Sequence, residues 1–464
     1  MITKNSNTVS IVNYKNRAKA NPRFYTTWKC ITFDRMRTTF PIAIEVTPLW
    51  KKKLLQYTQE AREVVYLESN AQTHLYSEFD WIVAWDAFTV RQTDTHQAFA
   101  ELQAYQSQTC DWLFGYLSYD LKNDTEDLHS QHYDGLEFPD LFFFQPKKII
   151  YSLPGQVFGA YLNGWVEECE GDLAAIAAQS LTPSTAPSIP LQARISEEAY
   201  HEKFKELLHY IQQGVIYEVN FCMEFFQEGI QLNPQEVFFQ LNARSEPPFA
   251  VFLKQDSRYL LSASPERYLR KSGTTVISQP IKGTARRGQT PEEDAQLKID
   301  LQHNEKERSE NIMIVDLVRN DLSRTAEKGS VTVEALCEVY TFKQVHQMIS
   351  TIRSTVAEDC PPVSLLQTTF PMGSMTGAPK IAAMQIIEKV EATKRGIYSG
   401  AVGYFTPEGN FDFNVVIRSI AYNAQSGYVS VSVGSAVTAQ ANAKDEYAEC
   451  LLKAKAMQDV LGGK

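Results

Sequence analysis

Along residues 40–180, apolar positions gather in short β-branched and aromatic runs (VVYLES, WIVAWDAF and FFFQPKKIIYSL) separated by polar turn segments. Runs of that length and make-up predict strands, so this stretch is expected to be rich in sheet. The pattern changes over residues 180–192, SLTPSTAPSIPLQ, where Pro, Ser and Thr concentrate without apolar periodicity and predict a connector. Beyond it, AYHEKFKELLHYIQQG carries apolar residues at helical spacing and stops at Gly214, a residue suited to a C-cap. Towards the end, SGAVGYFTPEGNFDFNVVIRSIAYNAQSGYVSVSVGSA predicts three consecutive strands, with turns at PEGN and NAQSG, before a closing helix over about 443–460. There is no repeat of fixed period. Strands and helices intermix without the regular alternation of a doubly wound sheet, so the predicted class is α+β.

A chain of 464 residues accommodates one large layered α/β unit or two to three ordinary domains. The connector places a boundary near 190, between an N-terminal region, 36–190, and a region 191–464. Residues 1–35 stand apart, with seven Lys or Arg against the single acid Asp34 and no periodicity. They read as a disordered extension or a mis-assigned start ahead of Met36, and their deletion is expected to spare activity. With 44% hydrophobic residues, including 25 Phe and 22 Tyr, the chain is that of a folded globular protein. No apolar run approaches the roughly 20 residues that cross a bilayer, and the start lacks a signal-peptide core, so a soluble, cytoplasmic protein with no membrane contact is expected. A net charge of -10 argues against a nucleic-acid surface and requires local positive charge wherever an anion binds. The seven cysteines form no CxxC and are odd in number, which predicts reduced thiols and no zinc site.

Three features can carry chemistry. Glu307 and Glu310 lie in HNEKERSENIMIVDLVRNDLSR, and Glu446 and Glu449 in DEYAEC. Each is an ExxE pair, and three residues is nearly one helical turn, so the carboxylates of a pair share a face. Two such helices in opposition would gather oxygen ligands suited to Mg²⁺, although either pair alone is more often a solvated face. In VISQPIKGTARRG, Lys282 follows a strand-like run. A lysine is usually a surface charge, but one held in an apolar setting can lose its proton by desolvation and act as a nucleophile. At pH 7 only about one free lysine in 2,500 is neutral, a deficit of roughly 4.6 kcal/mol that a site, with help from a nearby magnesium ion, must offset. FPMGSMTGAPK places small residues before an apolar helix, aiming backbone N–H groups at an anion. It is not a P-loop, because Pro379 precedes Lys380 and Ile381 stands where a metal-binding hydroxyl belongs, so a carboxylate suits it better than a nucleotide. Arg418, within VVIRSIAY, needs an anionic partner, which is either substrate or a structural acid.

Together SASPERYL, QPIKGTARRG, VDLVRNDLSR, FPMGSMTGAPK and EYAECLLKAKA resemble the chorismate-utilising enzymes: large subunits of anthranilate synthase and aminodeoxychorismate synthase, and isochorismate and salicylate synthases. The likeness is strong over about 195–460 and weaker over 40–180. It implies a single intertwined α/β unit, two large packed sheets flanked by helices, with the site between them, and dependence on magnesium. It further implies Glu310 and Glu449 as direct magnesium ligands, Glu307 and Glu446 as ligands through water, Arg418 and Tyr398 as a clamp on a substrate carboxylate, and Thr284 and Lys453 as site residues. Gly434 is implied in a strand-end turn whose N–H groups meet the same carboxylate.

Within this family Lys282 marks the aminodeoxychorismate branch, since the anthranilate and isochorismate enzymes carry a small residue there. Glu218, in IYEVN, stands where isochorismate synthases keep a water-activating lysine and others a Gln. The mechanism implied has Lys282 attack carbon 2 of chorismate as the carbon 4 hydroxyl leaves. Ammonia then enters at carbon 4 and expels the lysine, with Glu266, in SPER, as acid and base. Two departures are Gln347, where many members have His, and Ala436, where Gly is common; the first disfavours pyruvate elimination. No cysteine lies in the glycine-flanked turn of a glutaminase, so ammonia is expected from a separate glutamine amidotransferase subunit, with a separate aminodeoxychorismate lyase completing para-aminobenzoate for folate synthesis. Leu67, Glu68 and Ser69 resemble the segment that forms a tryptophan pocket in relatives. The rival readings are an anthranilate synthase large subunit and a non-catalytic subunit that binds tryptophan or chorismate.

Overall fold

The strand-like runs of the first 180 residues have too many apolar faces to be covered by one another, and the fold resolves this by pairing them with strands from the far end of the chain. The structure, a computed structural model, describes residues 36–70, 72, 76–181 and 188–462. The extension 1–35 and positions 182–187 of the connector lie outside the described residues. Among the described residues, 20 strands join into one continuous hydrogen-bonded sheet, accompanied by 11 α-helices, which is the α+β class read from the sequence.

The long strand Leu141–Leu153 is the branch point: its first residues pair with Leu113–Leu117, its last with Gln156–Leu162, and Trp81–Thr93 runs along it with a register shift between Ala87 and Thr89. One wing continues from Trp81–Thr93 through Glu63–Glu68, Phe249–Gln255, Arg258–Ser264, Ser419–Asn423 and Tyr428–Thr438 to Glu218–Gln227. The other continues from Leu113–Leu117 through Ala401–Phe405, Phe411–Val415, Arg267–Ser272 and Thr275–Gln279 to Val345–Thr355. All of these ladders are antiparallel. Stretches on either side of residue 190 thus share both wings. Val65, Ile82, Val251 and Leu260 of the first wing and Phe114, Tyr116, Val402 and Tyr404 of the second meet Phe142 and Phe144 of the branch strand in one buried cluster. Each such side chain contributes about 1.5–3 kcal/mol by leaving water, so the interior is shared between the wings.

Helices follow their sequence signals. Glu197–Gln212 opens on Ser196, whose hydroxyl accepts from the Ala199 N–H, buries Tyr200, Phe204, Leu207 and Ile211 along one stripe, and ends before Gly214 at φ +71°. The closing helix spans Ala443–Val460. The strand count near the end differs from expectation, because Ala401–Phe405, Phe411–Val415, Ser419–Asn423 and Tyr428–Thr438 make four strands. VVIRSIAY is not one strand. It breaks at 416–418, where Arg418 takes φ +53°, a left-handed backbone that no regular strand contains. Gly434 and Ala436, expected in a turn, lie inside Tyr428–Thr438, which stays paired to Glu218–Gln227 as far as Thr438 opposite Glu218.

Candidate active site

Two helices and two strand ends enclose a cavity of about 740 Å³. The helices are Glu305–Ser323 and Ala443–Val460; the strands are Tyr428–Thr438 and Ile281–Arg286. Lys282, Glu266, Thr284, Tyr398, Arg418, Gly434, Lys453, Glu310, Glu449, Glu307 and Glu446 all line it. That volume suits a small organic ligand.

The two ExxE pairs arrive in the same way. Asn304 accepts from the Glu307 N–H, and Asn442 accepts from the N–H groups of Lys444 and Asp445, so each pair starts in the first turn of a capped helix, where the helix dipole favours negative charge. Positive charge beside them comes from Lys306, which the sequence did not single out, and Lys453, expected as a site residue. Lys306 bridges the helices, 3.1 Å from Glu446 and 3.9 Å from Glu310, and Lys453 lies 2.5 Å from Glu449. As they stand, the described residues include no group of three acidic, His or Cys side chains close enough to form a finished metal cage. The charge balance nevertheless falls short. Glu310 Oε1 is buried without a hydrogen-bond partner, and burial pushes Glu310 up to about 7, only partly opposed by Lys282 and Lys306. Burial raises Glu307 and Glu446 too, reinforced by the charge of Glu449. Glu449 is lowered, because Lys453 outweighs its burial. Hard oxygen ligands with a bare, desolvated lone pair fit a divalent cation such as Mg²⁺.

Lys282 corrects the sequence expectation most clearly. Burial works against its charge, but Glu218, Glu310 and Glu449 outweigh it and hold the ammonium above the ordinary lysine value. Its Nζ donates to Glu218 Oε1 at 2.6 Å, and Glu218 is 1% exposed. Glu266 is also buried, and burial lifts it to about 7 although Ser374 Oγ donates to its Oε1 at 2.7 Å.

Arg418 adds an uncompensated positive charge to the wall. Among the described residues Arg418 has no carboxylate within ion-pair distance, and its Nη1 donates to the Lys453 carbonyl at 3.5 Å; burial lowers it from the usual arginine value. Lys453 Nζ in turn donates to the Gly434 carbonyl at 2.8 Å. A Cβ on Gly434 would stand 2.8 Å from Cys222 Sγ, so glycine lets the two strands close. Tyr398 is buried beside them. An unpaired arginine in a half-buried wall is a seat for an anion.

Gln347 lines the cavity with its Oε1 buried and unpartnered, whereas His346 turns to Asp294 at 2.9 Å and Thr341 at 3.0 Å. Leu67, Glu68 and Ser69 line a different, smaller cavity of about 60 Å³ with Phe249, Arg267 and Asp412. There Glu68 pairs with Lys51 at 2.5 Å and Ser69 Oγ donates to the Asp80 carbonyl. Ser374 and Asn220 were not legible as cavity residues, having only an unremarked hydroxyl and amide to signal them, and Glu218 was read only as a departure from pattern.

A sequence model of the family described as chorismate binding enzyme matches residues 51–459. The chain is 31% identical over 403 residues to aminodeoxychorismate synthase component 1 of Bacillus subtilis, covering 83% of each. It is 33% identical over 353 residues to anthranilate synthase component 1 of Thermus thermophilus, covering 74% of this chain and 76% of that one. It spans only 30%, 41% and 40% of the length of three larger relatives named as aminodeoxychorismate synthases, from Oryza sativa, Streptomyces griseus and Arabidopsis thaliana. Among solved structures, the menaquinone-specific isochorismate synthase of Escherichia coli superposes with a TM-score of 0.74 at 16% identity, covering 92% of this chain and 94% of that one, and shares the fold.

Proposed function

The chain belongs to the chorismate-binding enzyme family, and from that premise we propose that it aminates chorismate at carbon 4, converting chorismate and ammonia into 4-amino-4-deoxychorismate and water. The observation that carries this reading is Lys282 on the wall of the cavity, which Glu266, both glutamate pairs and Arg418 also line.

In the first displacement Lys282, as free amine, forms a bond to carbon 2. The ring double bonds shift and the carbon 4–oxygen bond breaks. Glu266, protonated to about pH 7, gives its proton to the departing hydroxyl, which leaves as water. In the second, ammonia bonds to carbon 4, the double bonds shift back, and the carbon 2–nitrogen pair returns to Lys282. Glu266 takes the surplus proton from the new ammonium. Arg418, with Tyr398 and Lys453, orients the substrate through a carboxylate, and Thr284 and the backbone near Gly434 complete the wall. Glu310, Glu449, Glu307 and Glu446 would hold Mg²⁺, whose charge anchors a second carboxylate and offsets negative charge in the ring. Gln347 offers no imidazole to promote pyruvate loss, which favours aminodeoxychorismate over anthranilate.

Ammonia would come from a separate glutamine amidotransferase subunit, and a lyase acting on the product would give para-aminobenzoate for folate. A cytoplasmic location belongs to the same proposal; among the described residues no helix is long and apolar enough to cross a membrane. The test is to incubate the purified protein with chorismate, Mg²⁺ and an ammonium salt, with and without an aminodeoxychorismate lyase. Para-aminobenzoate is expected only with lyase, and Lys282→Ala is expected to lose at least about 1,000-fold. Anthranilate formed directly would replace the reading with the rival synthase. Binding of chorismate or tryptophan without turnover would favour the non-catalytic one.

A further inference from the structure

The buried carboxylate that grips Lys282 has a free oxygen, and its place in the site has a chemical consequence. Resting on the amination reading above, we propose that Glu218 is the base that takes the proton from Lys282, stores it through the covalent stage and returns it when the lysine departs. In the first step the Nζ–H bond breaks and the proton moves to Glu218, leaving a free amine and a neutral acid. The amine then bonds to carbon 2 and becomes a secondary ammonium. When the carbon 2–nitrogen bond breaks, its electron pair returns to Nζ as free amine, which recovers the stored proton from Glu218. Nothing is consumed, and the pair ends as it began.

Geometry restricts the choice of acceptor. Lys282 faces acidic groups on several elements: Glu307 and Glu310 on helix Glu305–Ser323, Glu449 on the closing helix, Glu266 after strand Arg258–Ser264, and Glu218 at the start of strand Glu218–Gln227. Among the described residues only Glu218 is in ion-pair contact with it, at 2.6 Å. The backbone of Glu218 is fixed on both sides, paired to Ala378 and to Thr438, so the contact is held by the sheet. Its Oε1 receives the lysine, while Oε2 is buried with no hydrogen-bond partner. That oxygen leaves the carboxylate free of any competing donor, so the contact with Lys282 is its one side-chain hydrogen bond among the described residues. Transfer along this existing hydrogen bond moves no net charge out of the site.

The experiment follows initial chorismate consumption and product identity for the full chain, Glu218→Gln and Glu218→Asp, with Mg²⁺, at a fixed free-ammonia concentration from pH 7 to pH 9.5. Glutamine keeps the size and a hydrogen bond to Lys282 but cannot take the proton. Expected for Glu218→Gln are a kcat about 100-fold below the unaltered chain at pH 7, a gap that narrows by about tenfold per pH unit as solvent takes over, and a KM for chorismate within about threefold. Glu218→Asp is expected to restore about a tenth of the rate with the original pH profile. A Glu218→Gln rate within threefold at every pH, or a loss that stays constant with pH, would overturn the assignment while leaving amination intact. If the unaltered chain forms no aminodeoxychorismate, the amination reading fails and the inference falls with it.

Discussion

Glu266 folds with a proton that an unfolded glutamate would release near 4.5, and keeps it to about pH 7 because burial disfavours its ionised form. Between those values the folded state binds the extra proton, so this residue makes stability fall as pH rises through the window. Above it, the buried charge costs up to about 3 kcal/mol. Glu266→Gln removes a charge without removing volume. Its denaturant midpoint is expected to exceed that of the unaltered chain at pH 8 and to match it near pH 4, while kcat falls at least about 100-fold. Equal midpoints at both pH values would show that the carboxyl is not held neutral. Arg418 acts through binding. With no carboxylate partner among the described residues, and only a long hydrogen bond to the Lys453 carbonyl to lose, Arg418→Ala is expected to raise KM for chorismate by about 30-fold or more, with a smaller effect on kcat and on melting temperature.

At the scale of elements, the two glutamate pairs were legible because a helix makes neighbours of residues three apart, and the structure adds an Asn that caps each helix just ahead of its pair. Asn304→Ala is expected to cost about 1 kcal/mol in unfolding free energy and to weaken Mg²⁺ binding, measured by titration calorimetry, because the same first turn carries Glu307. Unchanged metal affinity would separate the cap from the ligands. Other features had no local signature. Lys282 and Glu218 are 64 residues apart and meet only through strand pairing. The charges around Lys282 were hidden for that reason: composition around QPIKGT signals desolvation, but says nothing of three carboxylates brought up by other elements. The break at Arg418 was likewise hidden, since VVIRSIAY is apolar enough for one strand and the left-handed residue is not a glycine or asparagine.

For the whole molecule, the sequence pattern placed a connector near 190 and described the elements on either side well, yet alternation along a strand does not say which strand lies beside it. Glu63–Glu68 is flanked by Trp81–Thr93 and by Phe249–Gln255, and Leu113–Leu117 by Leu141–Leu153 and by Ala401–Phe405. A chain beginning at residue 191 would keep every motif that lines the large cavity but would bare the edges of Phe249–Gln255 and Ala401–Phe405 and lose Phe114, Tyr116, Phe142 and Phe144 from the shared interior. At about 1.5–3 kcal/mol for each large side chain, those four alone match the whole stability of an ordinary domain. A fragment of residues 191–464 is therefore expected to be insoluble or to unfold without a cooperative transition, by circular dichroism and calorimetry, and to give no Mg²⁺-dependent rise in melting temperature. The full chain should show such a rise, growing with the logarithm of metal concentration once the site is saturated. A fragment that melts cooperatively and responds to Mg²⁺ would mean that the catalytic motifs carry a core of their own and that the first 190 residues are an addition to it.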